Sequence, residues 1–478
     1  MLPRITRNLL MVFVCLLLSL GFPTLGYCAD TFLDGTQLSI IWTLPFLGLL
    51  LSIALWPMIS AIFWEENYGK ITLFWSAILI TALVIKFGPS IVLQELLGVI
   101  IVTYLPFIML LTALFTVTGG IHLRGSLKGT PLLNTGILLI GTLIASWVGT
   151  TGASMLLIRP LLKANIYRRY RVHSVIFFII LVANIGGTLT PLGDPPIFLG
   201  FLAGVDFFWT ARNLFWPMLF LCSVLLVLHF IVDSWLYKKE DDPHPKGTCG
   251  NKRLGVEGWQ INLPLLAAIA GAVLLSGFWK PGIQFNLYGA VVLELQNIVR
   301  DVLLLLIIIA SGKFTNLKIR IHNSFTWDPM REVAKLFLGI FIGLSPVIAI
   351  LKAGEDGSLG FIINVLNSGG QPNNAIYFWV TGILSTFLDN APTYLVFFNV
   401  AGGNAEMLMT YMPQTLLAIT CGTVFMGANT YISNAPNLMV RSMAENTGVR
   451  MPSFFVYMGI IMALLFPLYA IFTLIWLT

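Results

Sequence analysis

Charge is scarce in this chain. Only 10% of its 478 residues are Asp, Glu, Lys or Arg, against about 25% in a soluble domain, which excludes an ordinary water-soluble fold. Cysteine is thin as well. Cys15, Cys28, Cys222, Cys249 and Cys421 are singletons, with no disulfide framework and no Cys/His spacing of a zinc site. The five histidines are scattered, and His122 and His173 sit at helix ends among basic residues, where solvated loop histidines are expected. No basic stripe interleaved with exposed aromatics is present, so a nucleic-acid partner is set aside. No Ser–His or His–Glu pair falls at helical spacing, which argues against an enzyme working inside a membrane.

What fills the chain instead is apolar: 57% of residues are hydrophobic and the mean hydropathy is +0.88. That composition predicts an all-α polytopic membrane protein in contact with the lipid bilayer. The net charge of +6 then belongs to loops facing anionic lipid and cytoplasm. Residues 1–29 carry Arg4 and Arg7, an apolar core at 9–20, then Pro23, Gly26, Cys28 and Ala29. This reads as a secretory signal cut near Ala29. Tyr27 departs from the small-residue rule, so the alternative is an uncleaved first helix.

About eleven transmembrane helices are expected after that segment, on the rule that roughly twenty apolar residues span a bilayer. The first repeat, 30–236, opens with spans near 38–63, 71–87 and 91–117. The next stretch, 132–162, holds a polar knot, Gly149-Thr150-Thr151-Gly152-Ala153-Ser154, and has basic residues at both ends. Basic residues collect on the cytoplasmic side, so the stretch is expected to be a re-entrant hairpin entering from the cytoplasm. A broken helix at 172–205 follows, and 237–258 is a charged cytoplasmic linker. In the second repeat, 259–478, the hairpin is expected at 375–398 around Asp389-Asn390-Ala391-Pro392-Thr393, and the broken helix at 414–441. Acidic flanks (Glu355, Asp356, Glu406) place this hairpin's ends outside. Residues 280–300 resist assignment. Lys86, Lys352, Arg300 and Asp301 read as snorkelling anchors or scaffold ion pairs.

The interruption at 186–196, Gly-Gly-Thr-Leu-Thr-Pro-Leu-Gly-Asp-Pro-Pro, packs three prolines and three glycines into eleven residues. Proline lacks the N–H and clashes with the preceding turn, so no helix runs through it. Taken alone it could be a loop outside the membrane with Asp194 as a cap. At bilayer depth, unpaired backbone survives only where it is buried in protein or lines a wet cavity, and an ionisable group there marks an ion or proton path. The second half repeats the plan. Thr150 falls on Asp389 at an offset of 239 (389 − 150), and Gly193 on Asn434 at 241 (434 − 193). With opposite charge flanks the repeats are expected to be inverted, the architecture of secondary transporters with a midplane site.

The elements Asn184-Ile-Gly-Gly-Thr-Leu-Thr-Pro-Leu-Gly-Asp-Pro-Pro196, Phe387-Leu-Asp-Asn-Ala-Pro-Thr-Tyr394 and Ser433-Asn-Ala-Pro-Asn437 resemble the citrate-transporter-like branch of the ion transporter superfamily. Its relatives include sodium/proton antiporters of the NhaD type, arsenite permeases and divalent-anion/sodium symporters. The resemblance implies a scaffold domain and a transport domain, a homodimer, and a site between hairpin tips and broken-helix loops. Dicarboxylate symporters of the superfamily carry Ser-Asn-Thr at both tips. Here Thr150-Thr151-Gly152 and Asp389-Asn390-Ala391 stand instead, which favours cation exchange.

A sodium ion takes about five or six oxygen ligands, by the hard-cation logic that governs calcium. One candidate site combines Thr150, Thr151, Thr188, Thr190 and Asp194. Its mirror combines Asp389, Asn390, Asn429, Ser433 and Asn434, with Thr393 beside it. Buried Thr and Ser also return hydrogen bonds to carbonyls, and Asn390 and Asn434 could tie loops together. The aspartates are different, because an unpaired carboxylate at that depth costs at least about 2.5 kcal/mol. It either coordinates a cation or takes a proton. The sequence reading is therefore a sodium/proton antiporter of the inner membrane, with Asp389 and Asp194 as coupling groups and no cofactor. The alternative is a citrate or other carboxylate symporter coupled to sodium, protons or a metal ion, and arsenite-type efflux is third.

Overall fold

The computed structural model describes residues 33–125, 127–240, 255–289, 291–323, 325–368 and 371–478. The expected signal, and residues 241–254 of the expected linker, lie outside the described residues. Nine helices among them are long and apolar enough to cross a membrane, and Val172–Gly187 and Pro413–Met426 are shorter apolar helices. Strand is confined to three two-stranded pairs among the described residues. The protein is an all-α polytopic membrane protein.

The chain divides into two compact units. The first takes the described residues of Met1–Val117 together with Ile261–Asn316 and Thr326–Phe361. Its helices are continuous or nearly so. Ser60 separates Leu44–Ile59 from Ala61–Phe87 and caps the second through a hydroxyl that accepts from Phe63 N. Gly88, at φ +81°, makes the turn into Pro89–Leu97, a backbone shape that a side chain would strain. The most buried of these helices, Asp328–Lys352, donates Ser345 Oγ to Glu95 Oε1 at 2.5 Å. Arg300 does not snorkel: it is buried in Leu295–Phe314 with its Nε 2.9 Å from Asp301 Oδ1. The stretch that resisted assignment contains an antiparallel strand pair, Gln284–Tyr288 with Val291–Glu294.

The second unit takes Thr118–Gln260, Leu317–Phe325 and Ile362–Thr478. It holds two helical hairpins, two broken helices and the long helices Trp209–Tyr237 and Phe454–Trp476. The first hairpin has arms Pro131–Val148 and Thr150–Ala164, turning at Gly149 with φ +80°. Its two ends are tied to each other. Gly129 N donates to Ala164 O at 3.0 Å, and Asn134 and Asn165 exchange amide hydrogen bonds of 3.0 and 2.8 Å. The first broken helix runs Val172–Leu181, breaks, and resumes as Pro195–Leu202. The second hairpin has arms Asn374–Phe387 and Asn390–Val400, and the second broken helix is Pro413–Met426 then Ala435–Asn446.

The histidines expected in solvated loops are not there. His122 is half-buried with Nδ1 2.7 Å from Asn323 Oδ1, and His173 packs against Asp233 at 2.8 Å. Local sequence put both beside basic residues, but tertiary packing supplies each with a polar partner from a distant segment.

Candidate functional site

Each hairpin tip docks on a broken-helix loop by the same backbone bond. Thr150 N donates to Gly193 O at 2.8 Å, and Asn390 N donates to Ser433 O at 3.2 Å; both partners are displaced by 240 residues (390 − 150, 433 − 193). The Thr190 hydroxyl donates to the Ser146 carbonyl, and the Thr430 hydroxyl to the Thr386 carbonyl, again displaced by 240 (430 − 190, 386 − 146). Close approach requires the glycines. A Cβ on Gly193 would stand 2.0 Å from the Gly187 carbonyl oxygen, and one on Gly187 would stand 2.6 Å from Thr150 Cγ2.

Asp194 occupies the point where the four elements meet. It is the N-cap residue of Pro195–Leu202 but makes no capping bond. Pro195 and Pro196 take the first two positions and have no N–H to offer, and Ile197 N bonds to the Asp194 carbonyl at 3.1 Å, so the carboxylate is left for other partners. Oδ1 accepts from Thr150 Oγ1 at 3.0 Å and Asn434 Nδ2 at 3.3 Å. Oδ2 accepts from Asn390 Nδ2 at 2.7 Å. Thr150 and Asn390 come from the two hairpin tips and Asn434 from the second broken helix, and all four residues are at most 2% exposed. No basic side chain forms an ion pair with Asp194 or Asp389 among the described residues. Asn390 Oδ1 and Asn429 Oδ1 are buried without a hydrogen-bond partner.

Asp389 is placed differently. It is half-buried and caps its own helix, accepting from Ala391 N at 3.0 Å. The other candidates spread around this junction. Asn429 Nδ2 donates to Thr386 Oγ1 at 2.9 Å. Thr188 donates to the Ile185 carbonyl, Thr393 to Asp389 O at 2.9 Å, and Ser433 to Gly427 O and Thr430 O. These four hydroxyl or amide groups brace the loops, and so does Thr190. Thr151, half-buried beside Thr150, makes no side-chain hydrogen bond among the described residues. Thus Thr150, Asp194, Asn390 and Asn434 are in direct contact; the remaining candidates are not bonded to that carboxylate.

Two residues of the junction do not stand out in the sequence. Asn184 Nδ2 donates to Asn437 Oδ1 at 2.8 Å, joining the two broken-helix loops directly, and Asn184 Oδ1 accepts from Asn434 Nδ2 at 3.2 Å. Both stand inside the motifs quoted above, and their signal is an amide in an otherwise apolar flank.

The chain's sequence also matches a known family. A family model described as "Putative citrate transport" matches residues 35–477. The chain belongs to that family. The match covers every element of both units from the first described helical turn to the last long helix. No curated protein matches the chain. As a member of the putative citrate transport family with multiple apolar helices, it is a multi-pass membrane protein of transporter type.

Proposed function

We propose that the protein is a secondary active transporter of the inner membrane that exchanges sodium for protons at Asp194. The observation that carries this reading is a buried carboxylate shared by both repeats with no basic partner among the described residues. Three donors steady its ionised form. The spare amide oxygens of Asn390 and Asn429 and carbonyls freed by the helix breaks offer the oxygen ligands that a hard cation prefers. One carboxyl that holds either sodium or a proton, but not both, suffices to couple the two. On this reading the repeats are inverted, the second unit is the transport domain, the first is the scaffold, and the protein is a homodimer. Thr150, Asp194, Asn390 and Asn434 form the core of the site, with Thr151, Thr188, Thr190, Asp389, Thr393, Asn429 and Ser433 supporting it.

The test is made in proteoliposomes with a proton gradient reported by a pH-sensitive dye. Sodium is expected to dissipate the gradient through the native protein and to have no effect through Asp194→Asn. Undiminished exchange by that variant removes the carboxylate from the mechanism.

A second reading has an observation of its own. Four helical segments begin at the junction, at Thr150, Pro195, Asn390 and Ala435, and helix N-termini carry partial positive charge that suits carboxylates. The family description speaks for citrate. Labelled citrate uptake, measured with and without sodium, a proton gradient and divalent metal, separates this symport from antiport.

A further inference from the structure

A second polar cluster lies in the same unit, away from the junction. Hairpin residue Thr135 is thirteen positions before Val148, the tip end of its arm, so the two are roughly 20 Å apart at 1.5 Å per residue. There His229 and Asp233 stand one helical turn apart on Trp209–Tyr237, facing His173 at the start of Val172–Leu181. His229 and Asp233 are fully buried. The imidazoles of His173 and His229 lie nearly parallel, with ring centroids 5.9 Å apart.

The hydrogen bonds leave ligand atoms pointing inward. His173 Nε2 is 2.8 Å from Asp233 Oδ1. His229 Nδ1 is 2.8 Å from Thr135 Oγ1, which turns Nε2 towards Ser174 Oγ at 3.2 Å. That hydroxyl is 3.3 Å from His173 Nε2 as well. One atom from each of His173, His229 and Asp233 therefore lies within 4.8 Å of the other two. Ligands about 2.0–2.1 Å from a tetrahedral ion stand roughly 3.3 Å apart, so a modest rotation of His173, whose side chain is 13% exposed, closes the set. Its exposure also gives an ion a way in.

Arg168 Nη2 pairs with Asp233 and its Nε lies 3.8 Å from Glu240 Oε1. Arg168 and His173 share Asp233 Oδ1, which leaves Oδ2, held by Asn134 Nδ2, as the carboxylate oxygen without a charged partner. A bound cation takes the place of the hydrogens that now join His173 to Asp233 and Ser174 to His229. Meanwhile Thr135 and Asn134, the latter 2.8 Å from Asp233 Oδ2, hold the ligands from outside, as second partners of metal ligands do.

We propose that His173, His229 and Asp233 form a binding site for a divalent transition-metal ion, with Ser174 or water completing the shell. Two imidazoles and one carboxylate select zinc-like ions over sodium, magnesium or calcium, so the chemistry is unlike that of the oxygen-lined junction. Occupancy would staple the long helix to the broken helix and, through Thr135 and Asn134, to the base of the first hairpin. The inference does not rest on the transport reading.

The full chain, purified without a polyhistidine tag, is titrated with zinc chloride by calorimetry and with cobalt(II) by visible absorption. The expected result is a single ion per chain and an intense tetrahedral cobalt band. His229→Gln and His173→Gln should each weaken binding by at least about tenfold and remove the band. Folding is checked by circular dichroism and gel filtration. Gln at 173 keeps a donor for Asp233 at the ligand position that is not fully buried, so that variant decides the matter should His229→Gln not fold. No metal uptake by the native chain, or equal uptake by folded His173→Gln, overturns the site.

Discussion

At the scale of the residue, two aspartates of similar surroundings in sequence have separate tasks in the fold. Asp389 lends its carboxylate to its own helix as a cap, whereas the prolines after Asp194 leave that carboxylate to Thr150, Asn390 and Asn434. A hydrogen bond to a charged group contributes about 1.5–3 kcal/mol, which is roughly tenfold to 150-fold in binding. Asn390→Ala should therefore weaken sodium binding by about that factor and leave the fold intact, as read by calorimetric titration with sodium. Asp389→Asn should weaken it less, since a capping amide retains most of the cap. A larger loss at Asp389 than at Asn390 would reverse the assignment. Sequence alone points to both acids and prefers Asp389 for its neighbour Asn390. It cannot weigh them, because the choice depends on which donors come from segments some 200 and 240 positions away. Yet the Asp-Pro-Pro run is itself a clue, since two residues without N–H cannot be capped.

At the scale of the element, the breaks are legible because proline and glycine crowd together in an apolar stretch chiefly where its helix stops. The arms Pro131–Val148 and Thr150–Ala164 meet at Gly149, the residue that opens the polar knot. The strand pair at 284–294 is not legible, for its alternation is short and flanked by helix-like apolar runs. Nor is the His173–His229–Asp233 cluster, whose members share a face only after the broken helix packs on the long one. Two glycines in the first half test the reasoning about close approach. Gly193→Ala places a Cβ 2.0 Å from a backbone oxygen, whereas a Cβ on Gly136 meets nothing within 4 Å. Gly193→Ala should push the loop off the Thr150 tip and abolish sodium-dependent exchange. Gly136→Ala, in the interior of Pro131–Val148, should leave exchange unchanged and raise helix stability by up to about 1 kcal/mol, seen as a higher melting temperature. Equal behaviour of the two variants would mean that the tip-to-loop contact has no role.

At the scale of the whole molecule, the repeat has a consequence beyond symmetry. The hydrogen bonds recur at 240 residues, between the sequence offsets of 239 and 241, so the two halves share one construction. They do not share one chemistry. The first contributes Asp194 and Thr150, the second Asn390 and Asn434, so the hydrogen-bonded cluster draws on both halves. A ligand that binds the folded state stabilises it by RT ln(1 + [L]/Kd), about 2.7 kcal/mol at a hundredfold excess over Kd. Sodium should therefore raise the melting temperature of the detergent-purified native chain as a single transition. Asp194→Asn in the first half and Asn434→Ala in the second should both suppress that rise, with potassium as the control cation. If Asn434→Ala keeps the full sodium response while Asp194→Asn loses it, the second repeat is a brace for the first, and the ion belongs to one half alone.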